Sequence, residues 1–159
     1  MTSRRATREV RAGSLGIGGA NPVRIQSMTT AAPDDVAGTV AECERLAAAG
    51  CELTRISTPK VTDAALLADV KRALTARGVR TPLAADIHFV PAAALEAARH
   101  VEKVRINPGN YADHKAGRAR DYTDEAYRAE VARIGAACAP LLERLKARRV
   151  ALRIGANHG

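Results

Sequence analysis

Five times along the chain an apolar-rich run ends in the same triplet: a polar residue, an isoleucine, then a polar or small residue. The five are Arg24-Ile25-Gln26, Arg55-Ile56-Ser57, Asp86-Ile87-His88, Arg105-Ile106-Asn107 and Arg153-Ile154-Gly155. Successive side chains of a strand face opposite ways, so each Ile points one way and its two neighbours the other. The runs read as strands over residues 23–28, 52–57, 83–88, 103–107 and 150–157, each triplet lying near the C-terminal end. Ala-rich amphipathic stretches over 34–49, 62–77, 91–99 and 124–148 read as helices between them. Strict alternation of this kind predicts a parallel sheet covered by helices.

Local punctuation supports the division. Pro33-Asp34-Asp35 puts a proline and two acids in a first helical turn, Thr62 is placed to cap the second helix, and Gly50 and Gly78 stand where helices should stop. Residues 1–21 form a basic, Gly-rich lead-in. The spacing of Gly13, Gly16, Gly18 and Gly19 matches no phosphate-binding loop, and a hairpin or turn is expected there.

The triplets also select among sheet architectures. If each Ile faces the helices, the polar residues share the opposite face. In an open doubly wound sheet that face is buried under helices, with a heavy desolvation cost. In a (β/α)8 barrel it opens at a mouth, where the C-terminal strand ends form the site. The fold class expected is therefore α/β, a partial TIM (β/α)8 barrel with about five strands of the eight, over residues 22–159.

Arg55, Arg105 and Arg153 would then converge with Gln26, Asp86, His88, Asn107 and Asn157. Three guanidiniums around one carboxylate call for a small, highly charged anion. A planar guanidinium donates parallel charge-assisted bonds to phosphoryl oxygens, so a phosphate or diphosphate ester is the natural ligand. Asp86 and His88 admit three roles: metal ligation, hydrogen bonding to a bound ester, or structure alone. They are also the weak candidates for catalysis. Asn107-Pro108-Gly109-Asn110 is either a tight turn offering amide donors or an ordinary Pro-Gly turn.

Composition removes other classes. The formal charge of +8 rests on 20 Arg and 5 Lys beside 34 Ala, a bias that base composition alone can produce. Only arginines at special positions therefore carry functional weight. Phe89, Tyr111, Tyr122 and Tyr127 are the whole aromatic set, too few stacking platforms for a single-strand nucleic-acid binder. Cys43, Cys51 and Cys138 fit neither a disulfide framework nor a CxxC metal site, which points to a reducing compartment. No stretch has the length and apolarity of a membrane span or secretory signal, so a cytoplasmic location is expected, with no membrane or specific nucleic-acid partner.

Four blocks in order resemble the family of 4-hydroxy-3-methylbut-2-en-1-yl diphosphate synthases. They are residues 18–29 (GGANPVRIQSMT), 84–89 (AADIHF), 104–110 (VRINPGN) and 153–159 (RIGANHG). The likeness runs from about Arg8 to Gly159, and the Asn110-Tyr111-Ala112-Asp113 continuation is most similar to the larger members, which carry an extra domain. The resemblance implies reductive opening of 2-C-methyl-D-erythritol 2,4-cyclodiphosphate in non-mevalonate isoprenoid synthesis. It further implies substrate contacts at Gln26, Arg55, Asp86, His88, Arg105, Asn107, Arg153 and Asn157.

In that family a 4Fe-4S cluster, fed by ferredoxin or flavodoxin, is held by three Cys and one Glu of a separate C-terminal domain, and the complete enzyme is expected to be a homodimer. Cys43, Cys51 and Cys138 do not match those ligands, so no cluster or metal is expected on this chain. The expectation is a truncated or partial chain with diphosphate recognition, inactive by itself. Two other readings stay open: a phosphate- or pterin-binding barrel transferase or lyase, and an inactive basic fragment that binds polyanions loosely.

Overall fold

The structure, a computed structural model, describes residues 5–112 and 122–156. In chain order these form β1 (Val10–Ala12), β2 (Leu15–Ile17), β3 (Gln26–Met28), α1 (Val36–Ala48), β4 (Leu53–Ser57), α2 (Val61–Ala76), β5 (Leu83–Ile87), α3 (Pro91–Ala97), β6 (Lys103–Ile106), α4 (Pro108–Ala112), α5 (Asp124–Arg148) and β7 (Ala151–Ile154). β3 to β7 pair parallel in that order, a partial barrel wall of five strands with helices on one face. β1 and β2 form an antiparallel hairpin.

Strand parity divides the apolar residues as the triplets require. Ile56, Leu83, Ala85, Ile87, Val104 and Ile106 pack against Val40, Leu67, Val70, Leu74, Leu141 and Leu145 of the helices. On the other face Leu53, Ala84 and Ala151 meet Ala12, Leu15 and Ile17 of the hairpin. The hairpin thus covers the lower, N-terminal end of the inner face and leaves the strand C-termini open. Two of the five triplet isoleucines escape the helix shell: Ile25 is 61% exposed and Ile154 60%, beside and on the two edge strands.

Register corrects the simple overlay of the triplets. Asp86 pairs with Arg105 and Arg105 with Arg153, so three triplets are level. Arg55, however, lies opposite Ala84, and Ser57 opposite Asp86. Gln26 lies opposite Leu53 and Met28 opposite Arg55, so the first triplet sits at the N-terminal end of its strand. Stagger between neighbouring strands accompanies barrel curvature, and aligning sequences by motif cannot show it. Arg24 consequently serves the lower end, donating to Gly16 O and Glu52 Oε1, each at 2.8 Å.

Helix ends also differ in detail. Asp35 caps α1 by accepting from the Gly38 N–H at 2.8 Å. α2 starts earlier than expected: the Lys60 N–H donates to Asp63 Oδ2 at 3.0 Å, and Thr62 lies inside the first turn instead of capping it. Gly50 and Gly78, at φ 89° and 78°, end α1 and α2 in the left-handed region, which a Cβ disfavours. α5 has the expected bounds, and Thr123 caps it. Leu141 and Leu145 bury its C-terminal half, where Arg148 also donates to Ala98 O and Arg99 O of the chain leaving α3. Among the described residues no helix is long and apolar enough to cross a membrane.

A candidate anion-binding rim at the strand C-termini

Asp86 is the centre of the site. It projects from β5 on the inner face, only 3% exposed, between the strands that bear Arg55 and Arg105. Arg105 Nη1 donates to Asp86 Oδ1 at 3.0 Å, and Arg55 Nε lies 3.4 Å from Asp86 Oδ2. A buried carboxylate requires such partners, since desolvation otherwise disfavours its charge. His88 lies above it, with Nε2 3.1 Å from Arg105 Nη1 and 3.5 Å from Asp86 Oδ2. Arg105 Nη2 closes the group by donating to Gly155 O at 3.1 Å.

The other expected residues occupy different stations. Arg153 faces Arg105 across the β6–β7 pair but is exposed, with no hydrogen bond or ion pair among the described residues. Asn107 turns back on its own chain: its Oδ1 accepts from the Gly109 N–H at 3.2 Å, and Pro108-Gly109-Asn110 begins α4. In place of the expected tight turn stands a short helix, with the Gly109 amide already bonded to Asn107. Gln26 lies lower, beside Leu53. Asn157 falls outside the described residues.

Two residues that motif reading passed over belong to this face. Met28 accepts N–H contacts at its Sδ from Arg55 Nε at 3.3 Å and Nη2 at 3.1 Å, a weak sulfur acceptor that still fixes the guanidinium. Lys103 shares the Arg55 row of the inner face and lies between Ala84 and Ala151. Burial, then the charges of Arg153 and Arg55, hold its ammonium below the ordinary lysine pKa. Strand parity is the signal for both residues, which lie outside the triplets: Met28 two residues after Gln26, and Lys103 two residues before Arg105.

The inner face thus gathers Arg55, Lys103, Arg105 and Arg153 around the carboxylate of Asp86. A crevice of about 510 Å³ between α2 and α3 offers a contrast. Its Lys71, Arg72, Arg99 and His100 are paired with Glu102, Asp69 and Glu96, which leaves no comparable excess of charge. The three thiols do not form a cluster site. Cys43 is buried on α1, Cys51 donates to Leu53 O at 3.2 Å, and Cys138 lies on α5 beside Tyr111. An iron-sulfur cluster needs its thiolates converging on one cavity, and these do not fit it.

Fold and rim together define a barrel-type α/β module whose strand ends present a cationic, carboxylate-braced surface. Comparison with known proteins places it more closely. The chain belongs to the GcpE TIM-barrel domain family, whose model matches residues 7–159. It is 47% identical over 156 residues to a 4-hydroxy-3-methylbut-2-en-1-yl diphosphate synthase (flavodoxin) of Leptospira interrogans, covering 98% of this chain and 24% of that protein. Proteins of the same description from Akkermansia muciniphila and Protochlamydia amoebophila are 48% and 46% identical, over 99% and 100% of this chain and 27% and 24% of their own. The chain spans about a quarter of the length of the curated relatives it matches.

Proposed function

We propose that this chain is the substrate-recognising barrel segment of a 4-hydroxy-3-methylbut-2-en-1-yl diphosphate synthase, and that its rim binds the cyclic diphosphate of 2-C-methyl-D-erythritol. The observation carrying this reading is the sharing of Asp86 by Arg55 and Arg105, with Arg153 beside them and unengaged among the described residues. One carboxylate aligns two guanidiniums and leaves the group with excess positive charge. A ligand with two phosphoryl groups supplies the missing negative charge.

In this reading Asp86 orients, Arg55, Arg105 and Arg153 bind, and His88 hydrogen-bonds the ester or a hydroxyl of its carbon skeleton. Gln26, Asn107 and Asn157 complete the surroundings of the ligand. The reductive ring opening belongs to the complete protein, with flavodoxin, named for the relatives, as electron donor. No residue described here takes part in holding a cluster. A homodimer is the proposed assembly of the complete protein, and the cytoplasm its compartment.

Calorimetric titration of the cyclic diphosphate into the chain tests the site. Arg105→Ala should weaken binding by roughly 10- to 100-fold, the worth of a charge-assisted contact. Arg72→Ala, on the outer shell, should leave it within about twofold. Equal weakening by Arg105→Ala and Arg72→Ala would reduce the binding to generic electrostatics.

A further inference from the structure

Lys103 is hard to explain as a structural residue. It is partly buried, yet no hydrogen bond or ion pair engages its ammonium among the described residues. Among the described residues the charges that act on it are those of Arg153 and Arg55, both of its own sign. The carboxylate of Asp86 on this face is already engaged by Arg55 and Arg105. The flanking inward residues on adjacent strands are Ala84 and Ala151, whose small side chains are buried against Ala12, Leu15 and Ile17 of the hairpin, so that the Lys103 stem rises from a packed apolar base in the same row as Arg55.

The position is therefore unfavourable for an ammonium by itself. Burial and like charge both act against an ammonium, and the lowered pKa of Lys103 reflects both. The four other lysines show that the chain has little general preference for lysine, since arginines outnumber them heavily. A compact point charge with three rotatable donors suits a phosphoryl group approached from below, where a rigid guanidinium fork has less freedom.

We infer that Lys103 is a further substrate-binding residue, the floor contact of the rim, taking one phosphoryl group of a doubly phosphorylated ligand while Arg105 and Arg153 take the other above it. The inference rests on the diphosphate-binding reading above and deepens it. It divides the site into two layers: Arg55 and Lys103 share the lower row of the sheet, and Arg105 and Arg153 the next row up. A floor residue of this type suits a ligand with two phosphoryl groups better than one with a single group.

The test uses the whole chain with the cyclic diphosphate as probe. Lys103→Met should lower affinity at least about tenfold and at the same time raise the melting temperature of the ligand-free chain by a few degrees, because it removes an unpaired charge. Lys103→Arg, which keeps the charge but not the compact, freely rotating ammonium, should recover only part of the affinity lost in Lys103→Met. In the unsubstituted chain, bound ligand should slow acetylation of Lys103 by acetic anhydride about tenfold and leave Lys71 unchanged. This arm stands even where a variant fails to fold.

Unchanged affinity in Lys103→Met, or acetylation of Lys103 indifferent to ligand, overturns the inference. A fall in ligand-free melting temperature with affinity kept marks a structural lysine and does the same. If Arg105→Ala weakens binding in those cases, the diphosphate reading survives and only the role of Lys103 is lost. If neither Arg105→Ala nor Lys103→Met matters, both fall.

Discussion

Arg105 and Asp86 form the buried pivot of the molecule, with Nη1 3.0 Å from Oδ1 and the two residues 8% and 3% exposed. The same carboxylate also faces Arg55, so one group on β5 braces the strands on either side. Removing a single partner from a buried pair leaves an uncompensated charge. Asp86→Asn should therefore cost about 3 to 5 kcal/mol, read as a lower urea midpoint at unchanged slope. A loss below about 1 kcal/mol would show that solvent, not Asp86, balances the two guanidiniums.

Gly155 supplies more than its carbonyl. A Cβ at this position would strike Nε of Arg105, whose guanidinium is held in place by Asp86 and Gly155 O. Gly155→Ala should displace that guanidinium, destabilise the fold by about 1 to 3 kcal/mol and weaken cyclic diphosphate binding severalfold. Calorimetry on this variant, with Gly135→Ala as the unobstructed comparison, separates the steric effect from a general glycine effect.

Glu42 ties the loop after β3 to α1. Its carboxylate accepts from the Thr30 hydroxyl at 2.7 Å and from the N–H groups of Thr30 and Ala31 at 2.6 and 3.1 Å. These bonds hold its pKa below the ordinary 4.5. A depressed folded pKa means that the unfolded state binds more protons in the window below 4.5. The stabilisation is thus present above that value and is lost as pH falls through the lower folded one. Glu52, held by the Ile25 N–H and Arg24, and Glu96, held by His100 and Arg99, act in the same direction. Urea midpoints should fall as the pH is lowered through this range, and Glu42→Gln should flatten part of that slope.

Burial pushes the Cys43 thiol up to about 11, away from any reactive range. At about pH 8 only on the order of one thiol in a thousand is then ionised. Iodoacetamide at that pH should leave Cys43 unmodified in the folded chain and label it readily in urea. Rapid native labelling would contradict the packing of Cys43 against the strands beneath α1.

Much of this arrangement was legible in the residues themselves. The alternation of apolar runs with Ala-rich stretches determined the order of strands and long helices, because hydrophobic period is a local property that the chain carries wherever it folds. Strand parity within each triplet likewise determined which face Ile56, Ile87 and Ile106 occupy, and so placed Arg55, Asp86 and Arg105 opposite the helices. Tertiary structure alone decided the heights. The stagger between strands brings Arg55 level with Lys103 and sets Gln26 lower, opposite Leu53, and it depends on how neighbouring backbones slide while pairing. Which guanidinium meets Asp86, and which cation has no partner among the described residues, follows from that slide, a relation between strands that no single strand encodes.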